Sequence, residues 1–152
     1  MWELMNNWYF VLPPSRPDER YLENIKRHID RFDRNEAVAV LGSTPEFRDL
    51  LCEMEFKNVF ILEKNKEFHL MTNAMRVYHD TKNETLILGD WMDLLPKHNN
   101  CFNVILSDLT MGNIPYNQRK EFYILLLNAL KFDGLFIDKV LFHNDFLSFI
   151  SC

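Results

Sequence analysis

The stretch that most constrains the fold is Ala37–Glu46, AVAVLGSTPE, because it joins an apolar run to a helix start. Its first five residues are apolar and end at Gly42, a pattern typical of a short strand buried in a parallel sheet. The following residues predict a helix start in one of two ways. Ser43 and Glu46 can form a capping box, or Thr44 can cap a helix whose first residue is proline. A buried strand that turns through glycine into a helix is typical of the ligand-binding edge of an open α/β sheet.

The rest of the chain alternates short apolar runs with segments of helical spacing. The predicted strands are 37–41, 59–62, 84–88, 102–106 and 135–141. The predicted helices are 18–32, 44–54, 66–77 and 117–130, with Asp18 capping the first and Asn65 the third. Between them, 91–100 predicts an irregular crossover with one helical turn, and Asp133–Gly134 predicts a turn. This alternation predicts a doubly wound α/β fold in three layers, with a mainly parallel five-stranded sheet.

The 152 residues predict a single domain in three parts. An aromatic and proline-rich arm, 1–17, precedes an N-terminal helix, 18–33, and a ligand-binding core, 36–142. The aromatic residues of the arm either pack on the domain or close over a ligand. The last segment, His143–Cys152, is predicted to be helical.

Composition excludes several classes of function. The net charge is −5 with both signs interspersed, so we expect no nucleic-acid partner. The three cysteines, Cys52, Cys101 and Cys152, have no metal-ligand spacing and predict reduced thiols, two of them buried. The histidines also lack zinc-ligand spacing, so no metal is expected. With no secretory leader and no apolar run long enough for a bilayer, the sequence predicts a cytoplasmic protein without a membrane partner.

Three acids, Glu63, Asp90 and Asp108, each follow a predicted buried strand. The carboxyl ends of parallel strands share one edge, so these acids and Gly42 are expected to meet there. Glu63 follows Gly42 by 21 positions, the offset at which an acid binds the hydroxyls of a ribose held over the first turn. The alternative remains that these acids have no binding role, because loops are generally polar and the first turn of a helix favours acidic residues.

The turn after the first strand limits the kind of nucleotide. It has a single glycine, whereas dinucleotide sites use G-x-G-x-x-G so that bare backbone can approach a pyrophosphate. Glu46 would repel a pyrophosphate, and no G-K-[ST] of a phosphate-binding loop follows. A ligand with adenine and ribose but no phosphate fits better, and a positive charge on it would be favoured by the acids.

Five segments of the sequence resemble the motif series of class I S-adenosylmethionine-dependent methyltransferases. In order, they are VAVLGSTPEF, VFILEKNKEF, LILGDWMDLL, FNVILSDLTMGNIP and DGLFIDKVLF. The resemblance covers about residues 36–142. It implies a Rossmann-like methyltransferase core with strand order 3-2-1-4-5 and S-adenosylmethionine as cofactor. The family's usual C-terminal strands are not expected in this sequence, which represents either a minimal version of the fold or a fragment.

The resemblance also implies roles for individual residues. Gly42, Ser43 and Thr44 would line the methionine portion of the cofactor, and Glu63 would hold the ribose hydroxyls. Asp90 would contact the adenine amino group with Trp91 beside the base, while Asp108 and Leu109 would lie near the sulfonium and the acceptor. The complete predicted cofactor-binding set is Leu41, Gly42, Ser43, Thr44, Glu63, Lys64, Gly89, Asp90, Trp91, Asp108 and Leu109.

The sequence departs from the family pattern in its first motif. Val40 stands where the family has an acid, and Thr44 and Glu46 stand where glycines are usual. Asp108 is the candidate general base, with His143 as a weaker one, and Asn113 and Tyr116 are candidates for contact with an acceptor.

Two functions follow from this reading. The first is a methyltransferase that acts on an unidentified small-molecule or protein acceptor. The alternative is a non-catalytic domain of the same fold that binds the nucleotide as a sensor or serves as an interaction module. A homodimer formed through the arm and the open sheet edge is a further expectation.

Overall fold

The structure, a computed structural model, describes residues 16–140. Most of the predicted arm and the predicted C-terminal helix lie outside the described residues, as do Cys152 and His143. Within the described range, no helix has both the length and the apolar character needed to cross a bilayer.

Five strands form one sheet in which all pairs are parallel, in the order β3-β2-β1-β4-β5. The strands are β1 (Ala37–Leu41), β2 (Asn58–Glu63), β3 (Glu84–Leu88), β4 (Phe102–Asp108) and β5 (Leu130–Lys139). The predicted sheet and its order are therefore confirmed. Because β1 lies in the centre, its carboxyl end meets those of β2 and β4.

Helices cover both faces of the sheet. They are α1 (Glu19–Ile29), α2 (Pro45–Glu53), α3 (Lys66–Met75), α4 (Trp91–Leu94) and α5 (Arg119–Ala129). Short 3-10 turns occupy Leu95–His98, Thr110–Asn113 and Tyr116–Gln118. The predicted crossover at 91–100 thus contains α4 and the first of these turns.

The core is divided by the sheet into two buried clusters. On β1, Val38 and Val40 pack in the cluster that contains α1 and α2, whereas Ala39 and Leu41 pack in the cluster that contains α5. Alternate residues of a strand point to opposite faces. A strand covered on both faces therefore has the continuous apolar sequence that predicted β1.

The start of β5 differs from the prediction. We expected a turn at Asp133–Gly134 before a strand beginning at Leu135, but β5 begins at Leu130, directly after α5. The register shifts between the pairs Phe102–Leu130 and Val104–Leu135. Asp133 has a φ of +64° inside this irregularity. The turn signal therefore marks a bulge within the strand rather than its boundary.

Helix starts were predicted partly correctly. Asp18 caps α1 through its side chain, and Asn65 caps α3 by accepting hydrogen bonds from the amides of Glu67 and Phe68. At α2, Thr44 occupies the N-cap position, but its side chain makes no capping bond, and the capping box between Ser43 and Glu46 is absent. Both side chains of the expected box bind residues distant in sequence, as described below.

Expectations about burial are wrong for the cysteines and partly correct for α3. Cys52 and Cys101 are free thiols but are half-buried rather than buried. On α3, apolar spacing predicts an inner face of Phe68, Met71 and Met75, with Thr72 as a further candidate. Met71 and Thr72 are buried, whereas Phe68 and Met75 are half-buried. The buried His69 was not predicted, because a polar side chain is not part of an apolar pattern.

Candidate functional site

A cavity of about 1150 Å³ opens at the carboxyl ends of the strands. Residues that follow β1, β2, β3 and β4 line it together. Of the predicted cofactor-binding residues, those that line it are Leu41, Gly42, Ser43, Thr44, Glu63, Lys64, Asp90, Trp91, Asp108 and Leu109. The remaining one, Gly89, does not line it. Asn113 does, but Tyr116 does not and is 86% exposed.

The turn after β1 is built around Gly42. Its φ is +87°, a left-handed conformation that glycine adopts without steric cost. Its N–H donates to the carbonyl of Leu62 at 2.8 Å, which fixes the turn against β2. A Cβ here would lie 3.8 Å from Glu63 Oε2 and 3.9 Å from the Trp91 ring. The bare backbone of Gly42 therefore faces both an acid and an aromatic ring.

Glu63 is the last residue of β2 and is only 7% exposed. Its Oε1 accepts a hydrogen bond of 2.7 Å from the amide of Asn65, which orients the carboxylate. Its Oε2 faces the Gly42 turn. An oriented carboxylate at this place can accept hydrogen bonds from hydroxyl groups of a ligand in the cavity.

Asp90 is oriented by two partners. Its Oδ2 accepts a hydrogen bond of 2.9 Å from Lys64 Nζ, and its Oδ1 accepts one of 3.0 Å from the amide of Met92. The bond from Lys64, followed by the one from Met92, lowers the pKa of Asp90 below its usual value. Asp90 is therefore ionised at neutral pH.

Gly89 and Trp91, on either side of Asp90, have different roles. A Cβ on Gly89 would lie 3.0 Å from Leu94 Cδ2, so the absence of a side chain allows α4 to pack closely against the strand end. The assignment of Gly89 to the cofactor remains a prediction, and its packing against Leu94 is an additional role. The Trp91 indole N–H donates to the carbonyl of Leu62 at 2.8 Å, which holds the ring at the floor of the site.

Ser43 and His69 form a contact that the sequence did not predict. Ser43 is 1% exposed, and its Oγ lies 3.0 Å from His69 Nδ1 on α3. Burial, and then the charge of Arg48, lower the pKa of His69 below its usual value, so this histidine is neutral at neutral pH. The sequence places His69 on a helix face or loop, without zinc-ligand spacing. It lies on α3, and its contact with Ser43 holds the turn that lines the cavity.

Behind His69 lies a buried ion cluster that joins α2, α3 and β3. Arg48 and Arg76 both pair with Glu84, with Arg76 Nη1 at 2.7 Å from Glu84 Oε1. Arg76 also pairs with Asp49 at 3.0 Å. Both arginine side chains are completely buried. Charged residues at these positions gave no sequence signal of burial, because arginine is ordinarily a surface residue.

Asp108 is the last residue of β4 rather than the first of a loop, and its side chain is 6% exposed. Lys139 Nζ lies 2.6 Å from its Oδ1 in an ion pair. Burial raises the pKa of Asp108, and the contact with Lys139 opposes that rise. The next residue, Leu109, has a φ of +57°, a strained conformation for leucine that turns the chain into the cavity wall.

Within residues 16–140, no three histidine, cysteine, aspartate or glutamate side chains are arranged to hold a metal ion. The candidate site is lined by backbone turns, carboxylates and aromatic rings. Its acids come from the ends of neighbouring strands, as the sequence predicted.

No protein-family model and no curated protein matches the chain. Solved structures do match it. The glycopeptide N-methyltransferase MtfA complexed with sinefungin is 13% identical with a TM-score of 0.63, over 84% of this chain and 57% of that one. An S-adenosylmethionine-dependent methyltransferase from Mesorhizobium loti is 16% identical with a TM-score of 0.57, over 77% of this chain and 52% of that one. The YcgJ protein from Bacillus subtilis is 14% identical with a TM-score of 0.64, over 80% of this chain and 50% of that one.

The chain spans between half and two thirds of the length of these structures. The likeness confirms the predicted fold, a Rossmann-like core with the architecture of class I methyltransferase structures. Other solved complexes of MtfA contain S-adenosylmethionine or S-adenosyl-L-homocysteine.

Proposed function

We propose that this chain binds S-adenosylmethionine in the cavity at the carboxyl ends of its strands and transfers the methyl group to a small-molecule or protein acceptor. The observation that carries the proposal is the convergence of Gly42, Glu63, Asp90 and Asp108 on one cavity. The strand order is that of the class I methyltransferase fold.

The residues of β1 and β2 would hold the adenosine. Glu63, oriented by the Asn65 amide, would accept hydrogen bonds from both ribose hydroxyls. The positive φ of Gly42 leaves the backbone open beside that carboxylate. Asp90 would accept from the adenine amino group and share its carboxylate with Lys64.

The charge of the cavity suits a cationic ligand. Four acids, Glu63, Glu67, Asp90 and Asp108, line the cavity together with two lysines, Lys64 and Lys66. This excess of acids lowers the energy of a positive charge placed in the cavity. An adenosine with a sulfonium carries such a charge, whereas a dinucleotide carries a pyrophosphate that these acids would repel.

The bound cofactor would supply an activated methyl group, and the chain would supply alignment. Much of the acceleration of such a displacement comes from holding the acceptor atom in line with the methyl carbon. Asp108 borders the cavity where the acceptor would approach, and its raised pKa suits a group that receives a proton from the acceptor.

Titration calorimetry with S-adenosylmethionine, S-adenosylhomocysteine and NADH tests the cofactor. We expect binding of the first two alone. Glu63→Gln keeps the size of the side chain but removes its charge, and we expect it to weaken binding by roughly 1–3 kcal/mol. Glu121→Gln, at an exposed position on α5, is the matched control and is expected to leave the affinity unchanged. Equal affinities of the Glu63→Gln and parent proteins would contradict the ribose assignment.

Turnover needs a separate measurement, with a radiolabelled methyl donor and cell extract as the source of acceptors. Label in an acceptor supports the transferase. Tight cofactor binding without transfer of label supports the alternative, a nucleotide-binding domain. Two features favour keeping that alternative: the turn has one glycine, and Glu46, in the first turn of α2, pairs with Arg16.

A further inference from the structure

Another cavity of the described chain, of about 720 Å³, is a groove between α1 and α2. It is separate from the candidate site, because none of its lining residues lines the cavity at the strand ends. We call it the α1–α2 groove. Its apolar lining comes from both helices and from the end of α3 and the residues after it, and includes Leu22, Pro45, Leu50, Met75, Val77 and Tyr78.

Charged residues of the α1–α2 groove form ion pairs across its edges. Arg16 pairs with Glu46, and Lys26 Nζ lies 2.7 Å from Glu53 Oε1. Each pair joins α2 to α1 or to the segment directly before it. The other charged residues on the α1 side are exposed to water, namely Glu19 and Glu23. The surface that is left for an occupant between these edges is therefore mainly apolar.

One wall of the α1–α2 groove presents apolar side chains that are held in place but not covered. Val77 and Tyr78 follow α3 and are 76% and 42% exposed. Their amides donate to the two carboxylate oxygens of Asp49 on α2, at 2.8 and 3.2 Å. Asp49 also pairs with Arg76, so the backbone of this wall is fixed to α2. Neighbouring exposed apolar side chains beside a groove indicate an interaction surface.

The arm is an apolar segment that joins the described chain at this groove. Residues 1–15, MWELMNNWYFVLPPS, contain two tryptophans, a tyrosine and a phenylalanine, but only one charged residue, Glu3. Such a segment gains free energy when its apolar surface is removed from water. The next two residues, Arg16 and Pro17, are themselves part of the lining of the groove. The carboxyl end of the arm is therefore attached at the groove.

The length of the connection brings the aromatic residues of the arm within reach of the whole groove. A fully extended chain spans at most about 3.3–3.6 Å per residue, so Phe10 lies within roughly 22 Å of Arg16. The 11 residues of α1 span only about 16 Å. A short tether gives the arm a local concentration on the order of millimolar, so weak apolar contacts suffice for binding. Pro13 and Pro14 also reduce the backbone entropy that is lost when the arm is fixed.

We propose that the α1–α2 groove binds the aromatic arm, residues 1–15 of the same chain. The cavity at the strand ends is the other destination considered for the arm. Neither Arg16 nor Pro17 lines that cavity, which instead collects the residues predicted to bind the cofactor. The groove contains none of those residues. The binding of the arm follows from its attachment point and its apolar character, and does not depend on which ligand the cavity takes.

Site-specific photocrosslinking in the full chain tests the proposal. p-Benzoylphenylalanine, which bonds to C–H groups in contact with it on irradiation, replaces Trp8 in one sample and Phe10 in another. Mass spectrometry of the digested protein then identifies the crosslinked peptides. We expect crosslinks within one chain to the residues of the groove, namely Leu22, Leu50, Met75, Val77 and Tyr78.

A double substitution on the exposed wall, Val77→Gln with Tyr78→Gln, removes apolar surface and adds no charge. It is expected to lower the yield of crosslinks to α1 and α2 at least about threefold, because burial of apolar surface drives the binding. The matched control is Leu127→Gln with Tyr123→Gln on α5, where the two side chains are 68% and 43% exposed. Because α5 packs on the opposite face of the sheet, the control should keep the parental yield.

Four outcomes would overturn the proposal. Crosslinks to residues at the strand ends, such as Met92 or Asn113, would mean that the arm closes over the cavity instead. Crosslinks between two chains, seen as a band of doubled mass, would mean that the arm binds a second copy. Absence of crosslinks from both positions, or equal yields in the groove variant and the control, would mean that the arm does not occupy the groove.

Discussion

Ser43 and His69 join the turn after β1 to α3 through one buried contact of 3.0 Å. Neither residue is close to the other in sequence, and no spacing rule connects them. Ser43 is therefore fixed from the side of α3 rather than from the α2 start that it was expected to cap. The side chain of His69 thereby connects the position of α3 to the conformation of the turn at Ser43, which lines the cavity.

This contact predicts a pH dependence of stability. Burial and the charge of Arg48 lower the pKa of His69 in the folded state, whereas in the unfolded chain it takes up a proton near its usual value of 6.5. The neutral histidine therefore contributes stability that is present above about pH 6.5 and is lost as the pH falls through the folded-state pKa. Urea unfolding at several pH values between 7.5 and 5 measures this dependence.

The variant His69→Asn keeps a side chain that can form a hydrogen bond with Ser43 but has no titrating ring. We expect the loss of unfolding free energy between pH 7 and 5 to be smaller in this variant than in the parent protein. His79→Asn is the control, since His79 is exposed, and it should retain the parental dependence. A parental pH profile in His69→Asn would show that His69 does not cause the effect.

The N-terminal caps of two helices differ in the number of hydrogen bonds that the capping side chain makes. Asn65 binds two amides at the start of α3, at 2.9 and 3.1 Å, whereas Thr44 at the start of α2 binds none with its side chain. Asn65→Ala is expected to lower the unfolding free energy by about 1 kcal/mol. Thr44→Ala should change it much less. Thermal or urea unfolding of the two variants makes the comparison, and equal losses would contradict it.

For the buried ion cluster between α2, α3 and β3, we expect a substitution to lower the free energy of unfolding more than Asn65→Ala does. Glu84→Ala leaves the completely buried guanidinium of Arg48 without a carboxylate and removes one partner of Arg76. Breaking such a buried pair costs about 3–5 kcal/mol, because the remaining charge stays buried. Urea unfolding measures the loss.

Asp80→Ala is the control for that variant. Asp80 also pairs with a basic residue, Lys82, but both side chains are largely exposed. Water screens such a pair, so its removal is expected to change stability little. Comparable losses for Glu84→Ala and Asp80→Ala would contradict the assigned role of burial.

Local patterns in the sequence predicted the elements well. The apolar runs gave each strand start within two residues except that of β5, and Asp18 and Asn65 marked two helix starts. The capping box failed because its two members have distant partners: Ser43 contacts His69, and Glu46 pairs with Arg16. Those partners become neighbours only after the helices pack, so no local pattern contains them.

At the scale of the whole molecule, the two apolar clusters on opposite faces of the sheet both contribute to the stability of the fold. Phe122 on α5 is completely buried, whereas Phe132 on β5 is 93% exposed. Phe122→Ala is expected to cost about 3–5 kcal/mol through lost burial and a cavity. Phe132→Ala should lower the free energy of unfolding much less. Urea unfolding of both variants measures the two losses, and equal losses would contradict the close packing of α5 on the sheet.

The candidate site was predictable to the extent that topology determines it. Parallel strands place their carboxyl ends together, and this alone brought Glu63, Asp90 and Asp108 to one cavity. The contact of Lys139 on β5 with the ring of Tyr21 on α1 was not predictable in the same way, because these residues become neighbours only when the helix packs on the sheet.

The central position of β1 has a consequence for biosynthesis. Roughly 60 residues of chain separate the end of β1 from the start of β4, its partner on one side. At about 5–20 residues per second, a ribosome needs on the order of 3–12 s to make that interval. During this time one edge of β1 has no strand to pair with, so its backbone N–H and C=O groups on that side remain without their partners until translation supplies β4.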